Sequence, residues 1–120
     1  MDTLKIGIIG FGEMAQIHAQ ALQNIPNTQL VAVADPDSRR AEDARPYKCT
    51  FYDDAQAMFQ EAELDVAILA TQAPLHRDLT IAALQKGVHV ICEKPMALSL
   101  EQADEMVEAA RTSNRLLAVD

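Results

Sequence analysis

Short apolar runs alternate with stretches of helical periodicity along the whole chain. Leu4–Ile9 is apolar and β-rich, and it predicts a first strand. From Gly12 to about Asn24 the apolar positions Met14, Ile17, Ala21 and, just beyond, Ile25 recur at helical spacing. Gln29–Ala34 reads as a second strand, Ser38–Ala44 as a short helix stopped by Pro46, and Cys49–Phe51 as a brief third strand. Asp53 with Gln56 opens the next helix in the manner of a capping box. Val66–Ala70 is a fourth strand and Leu75–Lys86 a helix that halts at Gly87. Val88–Ile91 is a fifth strand. A second box, Ser99 with Gln102, starts a helix with Leu100, Ala103, Val107 and Ala110 on one face, and Leu116–Val119 begins a sixth strand.

Strands that alternate with helices and lack in–out alternation predict a parallel sheet buried on both faces. Right-handed crossovers leave the doubly wound order 3-2-1-4-5-6 as the leading topology, a single three-layer α/β/α domain spanning residues 1–120. In such sheets ligands bind beyond the carboxyl ends of the strands, where the order reverses.

Composition narrows the picture. At 120 residues, 49% hydrophobic and 23% charged, the chain buries a real core and lies outside the disordered regime. Ten Lys and Arg oppose eighteen Asp and Glu for a net charge of −8, and no Trp is present. That balance argues against nucleic acid as a partner, because phosphate-backbone affinity needs a basic face. No apolar run approaches a membrane span, and the N-terminus lacks the pattern of a leader, so no membrane partner is expected. Cys49 and Cys92 have no metal-ligand spacing, and no metal site is expected. A reduced, cytoplasmic setting is the expectation.

One segment shows how an acidic chain can still hold an anion. Gly10-Phe11-Gly12-Glu13-Met14-Ala15 follows the first strand and opens the first helix, with the spacing G-x-G-x-x-A. Gly10 permits a tight turn, Gly12 lets the backbone approach a pyrophosphate, and Ala15 allows the helix to pack closely on the strand. The helix N-terminus offers free amides and the positive end of its dipole. Asp35 ends the second strand about twenty residues further on, where a carboxylate can accept from the adenosine ribose hydroxyls. This is the dinucleotide-binding arrangement of a Rossmann fold. Asp35 would repel a 2′-phosphate, which favours NAD over NADP. Ser38, Arg39 and Arg40, close by, offer the alternative of holding that phosphate, although a solvated helix face is the simpler reading of the arginines. Glu13 suits the helix dipole and is expected to point into solvent.

Two further segments fall at strand ends: Thr71-Gln72-Ala73-Pro74-Leu75-His76 after the fourth strand and Glu93-Lys94-Pro95 after the fifth. With the glycine turn, the Val33-Ala34-Asp35 strand end and the run Gly87-Val88-His89-Val90-Ile91-Cys92-Glu93-Lys94-Pro95-Met96-Ala97, the chain resembles the N-terminal domain of the Gfo/Idh/MocA oxidoreductase family over essentially its whole length. The resemblance implies that Lys94 is the catalytic lysine near the nicotinamide and the reacting hydroxyl or carbonyl. It implies that Glu93 lies near the nicotinamide ribose and that Thr71, Gln72 and His76 line the nicotinamide half of the cofactor. Gln72, Ala73 and Pro74 depart from the family's usual pattern in that loop. His18 and His89 lie inside elements and read as structural, and Met14, Met58, Met96 and Met106 read as packing. The resemblance further implies a parent enzyme that moves a hydride between a nicotinamide cofactor and a hydroxyl-bearing carbon of a sugar or polyol. The family's C-terminal substrate domain is expected to be absent here, leaving this chain inactive alone. A non-enzymatic NAD(P)-binding sensor is the alternative. Apolar positions near the sixth strand make a homo-oligomer an expectation.

Overall fold

The computed structural model describes residues 2–120. Six strands form one parallel sheet: β1 (Leu4–Ile9), β2 (Thr28–Ala34), β3 (Thr50–Tyr52), β4 (Val66–Leu69), β5 (His89–Cys92) and β6 (Leu117–Val119). Their order across the sheet is β3-β2-β1-β4-β5-β6, the doubly wound order expected from the sequence. The intervening helices are α1 (Glu13–Leu22), α2 (Arg40–Ala44), α3 (Ala55–Glu61), α4 (His76–Gln85) and α5 (Leu100–Ser113).

Successive residues of each central strand feed opposite layers. Ile6 and Ile8 of β1, Leu30 and Val33 of β2 and Ile68 of β4 join Ala15, Ala19 and Ala44 from α1 and α2. Ile9, Ala32, Ala34, Ala67, Leu69, Val90 and Cys92 join Met58, Leu84 and Met106 from α3, α4 and α5. Both sheet faces are thus buried, which explains why the strands read as apolar runs rather than as alternating patterns. The rows of buried aliphatic side chains remove apolar surface from water at roughly 25 cal/mol per Å², the main favourable contribution to the fold.

Element ends shift by one or two residues from the sequence expectation, and two caps show why. The α3 cap is Asp54 rather than Asp53: Asp54 has extended backbone and its Oδ1 accepts from the Gln56 amide at 3.2 Å. Replacing Asp54 by alanine is expected to cost about 1 kcal/mol, as a lost N-cap does, while Asp53→Ala stays within about 0.5 kcal/mol. Urea melts of the two variants check this. Ser99 caps α5 as expected, its Oγ accepting from the Gln102 amide at 3.2 Å. The reciprocal bond runs one residue further back, from the Leu98 amide to Gln102 Oε1 at 3.3 Å. Ahead of α4, residues Ala73–Leu75 form a separate 3₁₀ turn holding Pro74, so the α-helix proper starts at His76 and not at Leu75.

Two helices present a different face to the sheet than their spacing suggested. On α1, Met14 and Ile17 are 53% and 57% exposed, while Ala15 and Ala19 are buried. Met14 therefore does not pack as expected. The glycine turn brings α1 so near the sheet that only small side chains fit between them. On α5, Leu100 and Val107 are exposed and Met106 is fully buried. Alanines 103, 109 and 110 flank Met106 and let it reach the core. Met58, like Met106, packs as expected. Among the described residues no helix is long and apolar enough to cross a membrane.

Candidate cofactor site

The order of strands reverses between β1 and β4, and the crevice beyond their carboxyl ends collects most of the sequence candidates. Gly10 leaves β1 with φ +86°, and a Cβ there would lie 2.7 Å from the Ala70 carbonyl oxygen. Only glycine tolerates both conditions. Gly12 is different in kind. Its backbone is ordinary, with φ −77° and ψ −164°, and a Cβ would meet nothing within 4 Å. Neither strain nor crowding within the chain demands glycine at this position. What its missing side chain leaves open is the N-terminus of α1, whose first amides have no side-chain cap. A group that needs close backbone approach, such as a pyrophosphate, fits there. Glu13 and Met14, the next two residues, are exposed in the first turn, and Glu13 is free to point to solvent.

The ring of Phe11 is buried at 0% exposure and meets Tyr47 edge-on, with centroids 6.1 Å apart. Only its backbone is available to a ligand. That backbone is held by Asp35: the Phe11 amide donates to Asp35 Oδ2 and the Asp37 amide to Asp35 Oδ1, each at 2.8 Å. Asp35 thus fastens the glycine turn to the loop after β2, a role the sequence did not reveal. Each carboxylate oxygen keeps a second lone pair with which to accept from a ribose hydroxyl.

Arg39, a candidate for holding a 2′-phosphate, is engaged elsewhere. Its Nε and Nη2 donate to the two oxygens of Asp37 at 3.0 and 2.9 Å. Those bonds hold the Asp37 carboxyl down at about 2. Arg40 pairs with Asp43 at 3.3 Å. A pocket of about 500 Å³ runs from Gly10 and Gly12 past Asp37 and Arg40 to Thr71 and Gln72. A neighbouring cavity of about 260 Å³ lies between the ends of β1 and β2, with Ile9, Leu75 and Leu79 as apolar walls and Asp35, Asp53, Asp54 and Asp78 around it. The lining by Asp53 and Asp54, just ahead of α3, and by Asp78 of α4 was missed in the sequence, because these segments meet the end of β1 only in the fold.

The second half of the crevice is built from the ends of β4 and β5. Glu93 is half-buried and its carboxylate is in close contact with His18 Nε2 from α1. Asp120 Oδ2 lies 3.9 Å from the same nitrogen. These three residues are the one group among the described residues whose His and carboxylate atoms lie within 4.8 Å of one another. His18 is therefore the partner of a candidate site residue, beyond a purely structural part of α1. Lys94 is exposed, and its backbone amide donates to the Asp120 carbonyl at 3.0 Å. His76 is buried at 1% exposure, its ring nitrogens 2.9 Å from the carbonyl oxygens of Pro95 and Thr71. Its imidazole is closed off rather than presented to a ligand. His89 Nδ1 accepts from the Leu116 amide at 2.9 Å and joins β5 to the start of β6. Burial pushes the Cys92 thiol up to about 11, so it stays protonated at neutral pH and makes a poor nucleophile.

This arrangement has a counterpart among known proteins. Residues 4–120 match the oxidoreductase family described by its NAD-binding Rossmann fold. The chain belongs to the Gfo/Idh/MocA oxidoreductase family. In the relatives it matches, the corresponding domain is about a third of the chain. D-glucoside 3-dehydrogenase of Escherichia coli is 38% identical over 99% of this chain but only 35% of its own length. D-apiose dehydrogenase of Paraburkholderia graminis is 38% identical over 99% of this chain and 32% of its own length. In three dimensions the chain is similar to myo-inositol 2-dehydrogenase from Lactobacillus plantarum, with a TM-score of 0.93 and 30% identity over 99% of this chain and 36% of that one. It is also similar to the WlbA dehydrogenase from Chromobacterium violaceum in complex with NADH and UDP-GlcNAcA, with a TM-score of 0.95 and 28% identity over 100% of this chain and 35% of that one. The chain thus spans about a third of the length of these relatives. Its Gfo/Idh/MocA domain is an NAD-binding Rossmann domain.

Proposed function

We propose that this chain is the cofactor domain of an NAD-dependent dehydrogenase that acts on a hydroxyl-bearing carbon of a sugar or polyol. The observation that carries the cofactor reading is Gly12: an unstrained glycine with open space where its side chain would be, at the uncapped start of α1. The names of the relatives support the substrate class, since they are dehydrogenases of a glucoside, apiose and inositol.

The groups at hand suit the parts of a dinucleotide. The first amides of α1 hold the pyrophosphate, Asp35 accepts from the adenosine ribose, and Glu93, oriented by His18, serves the nicotinamide ribose. A nicotinamide ring, when bound, supplies the hydride acceptor. Lys94 has no carboxylate partner among the described residues, because the neighbouring Glu93 is turned to His18. Its ammonium is free to stabilise oxyanion character at the reacting hydroxyl, and as the catalytic residue it needs a substrate held from outside this domain.

NAD is favoured over NADP by charge. A 2′-phosphate beside Asp35 would face that carboxylate and the ionised Asp37, while Arg39 and Arg40 are already paired. Repulsion between near charges at a partly solvated site is worth about 1–4 kcal/mol. Calorimetric titration with each cofactor is expected to show tighter binding of NAD. Asp35→Asn keeps the acceptor for one backbone amide and removes the charge, and it should narrow the preference by about tenfold, or some 1.4 kcal/mol. The preference should also shrink as pH falls through about 6, where the phosphate monoester of NADP gains a proton. Asp37 contributes nothing to that change: a carboxyl lowered to about 2 is ionised throughout this range, and its charge is lost only as pH falls toward that value. Equal binding of both cofactors by the unaltered chain would refute the preference, and binding of neither would refute the cofactor reading.

A further inference from the structure

His76 has the geometry of a clamp. It starts α4, is buried at 1% exposure, and spans two loops that leave adjacent strands. Nδ1 lies 2.9 Å from the Pro95 carbonyl oxygen, in the turn after β5. Nε2 lies 2.9 Å from the Thr71 carbonyl oxygen, in the loop after β4. Both partners are acceptors only, so whichever ring nitrogen carries a proton donates to the carbonyl it faces. Away from water, a backbone carbonyl that loses such a donor is left unsatisfied, which is unfavourable, so the clamp defines where each loop sits.

The position of Pro95 makes this consequential. Lys94 precedes it directly, and the Lys94 amide donates to the Asp120 carbonyl at 3.0 Å. The backbone of Lys94 is therefore anchored on its N-terminal side by the pairing of β5 with β6 and on its C-terminal side by His76. The Lys94 side chain, by contrast, is exposed. A long, mobile ammonium is aimed only as well as the backbone that carries it.

We infer that His76 is a positioning residue that fixes Lys94 and Thr71 relative to each other at the nicotinamide end of the crevice, without touching cofactor or substrate itself. This rests on the cofactor reading proposed above. The two ring nitrogens can be tested separately, since an asparagine amide can stand in for Nδ1 and a glutamine amide for Nε2. His76→Asn retains a donor toward Pro95, whereas His76→Gln retains one toward Thr71 and releases the turn that carries Lys94.

The test combines calorimetry with hydrogen exchange on the 120-residue chain. NADH probes the whole crevice, and ADP probes the adenosine and pyrophosphate half alone. His76→Gln is expected to lower NADH affinity about tenfold while ADP affinity stays within about twofold. The Lys94 amide should exchange at least tenfold faster in that variant, with the β1 amides unchanged. His76→Asn is expected to restore both readouts to within about threefold of the unaltered chain. Identical behaviour of the two variants would overturn the inference, because the clamp on Pro95 would then not be the operative bond. So would an unchanged ratio of NADH to ADP affinity in His76→Gln, or a parallel loss of both ligands with faster exchange throughout β1, which marks a residue needed only for packing. If the unaltered chain binds neither ligand, the cofactor reading falls, and exchange at Lys94 still decides whether His76 holds the turn.

Discussion

Gly12→Val is expected to leave the melting temperature within about 2 °C of the unaltered chain and to weaken NAD binding at least a hundredfold. The first half follows from the backbone and the surroundings: φ is −77° and a Cβ meets nothing within 4 Å. A β-branched residue is at ease in that extended conformation and displaces no protein atom. The second half follows from what uses the open space. A valine side chain stands over the uncapped amides of α1, where the pyrophosphate must come within hydrogen-bond distance of backbone, and a hundredfold loss corresponds to about 2.7 kcal/mol. Gly10→Ala is the control with the opposite signature. At φ +86°, with the Ala70 carbonyl oxygen 2.7 Å from the new Cβ, it should cost at least 1–3 kcal/mol of stability before any ligand is added. Thermal melts and calorimetry on both variants separate the two glycines. Undiminished NAD binding by Gly12→Val would mean that the turn is structural and the pyrophosphate lies elsewhere.

Met106→Ala should be among the most destabilising single changes in α5, and Val107→Ala next to it nearly silent. Met106 is fully buried in the layer formed by Leu84, Val90 and Cys92, and truncating such a side chain leaves a cavity that costs about 2–5 kcal/mol. In a domain of this size that corresponds to a fall of roughly 8–20 °C in melting temperature. Val107 is 55% exposed and should change stability by no more than about 0.5 kcal/mol. Reversal of the two results would restore the helix face that the spacing of Leu100, Ala103, Val107 and Ala110 suggested.

That helix shows how far pattern reading reaches. The existence and type of α5 were legible, as was its Ser99 cap, because each depends on residues a few positions apart. Its orientation was not. Ala103 and Ala110 belong to both candidate faces, and the choice fell to the side on which alanines surround a single long methionine. The same held for α1, where apolar residues Met14 and Ile17 ended up exposed because the glycine turn demanded small residues against the sheet. The candidate site divides along similar lines. Gly10, Gly12 and Asp35 were candidates from a motif whose chemistry is local, and Lys94 was one only through the family resemblance. Asp37 as the captor of Arg39, and Asp53, Asp54 and Asp78 around the second cavity, were not.

Local chemistry, read from the sequence, determined the alternation of strand and helix, the parallel doubly wound sheet, and a glycine turn with a carboxylate at the end of the next strand. These follow from periodicity, turn propensity and capping, which act within a few residues. Tertiary structure alone decided the partners of the polar groups. His18 meets Glu93 across 75 positions of sequence, Asp35 takes the Phe11 amide across 24, and His76 reaches Pro95 across 19. Each pairing exists because parallel strands bring their carboxyl ends to one edge of the sheet, where side chains distant in sequence must satisfy one another's hydrogen bonds or leave them unmade.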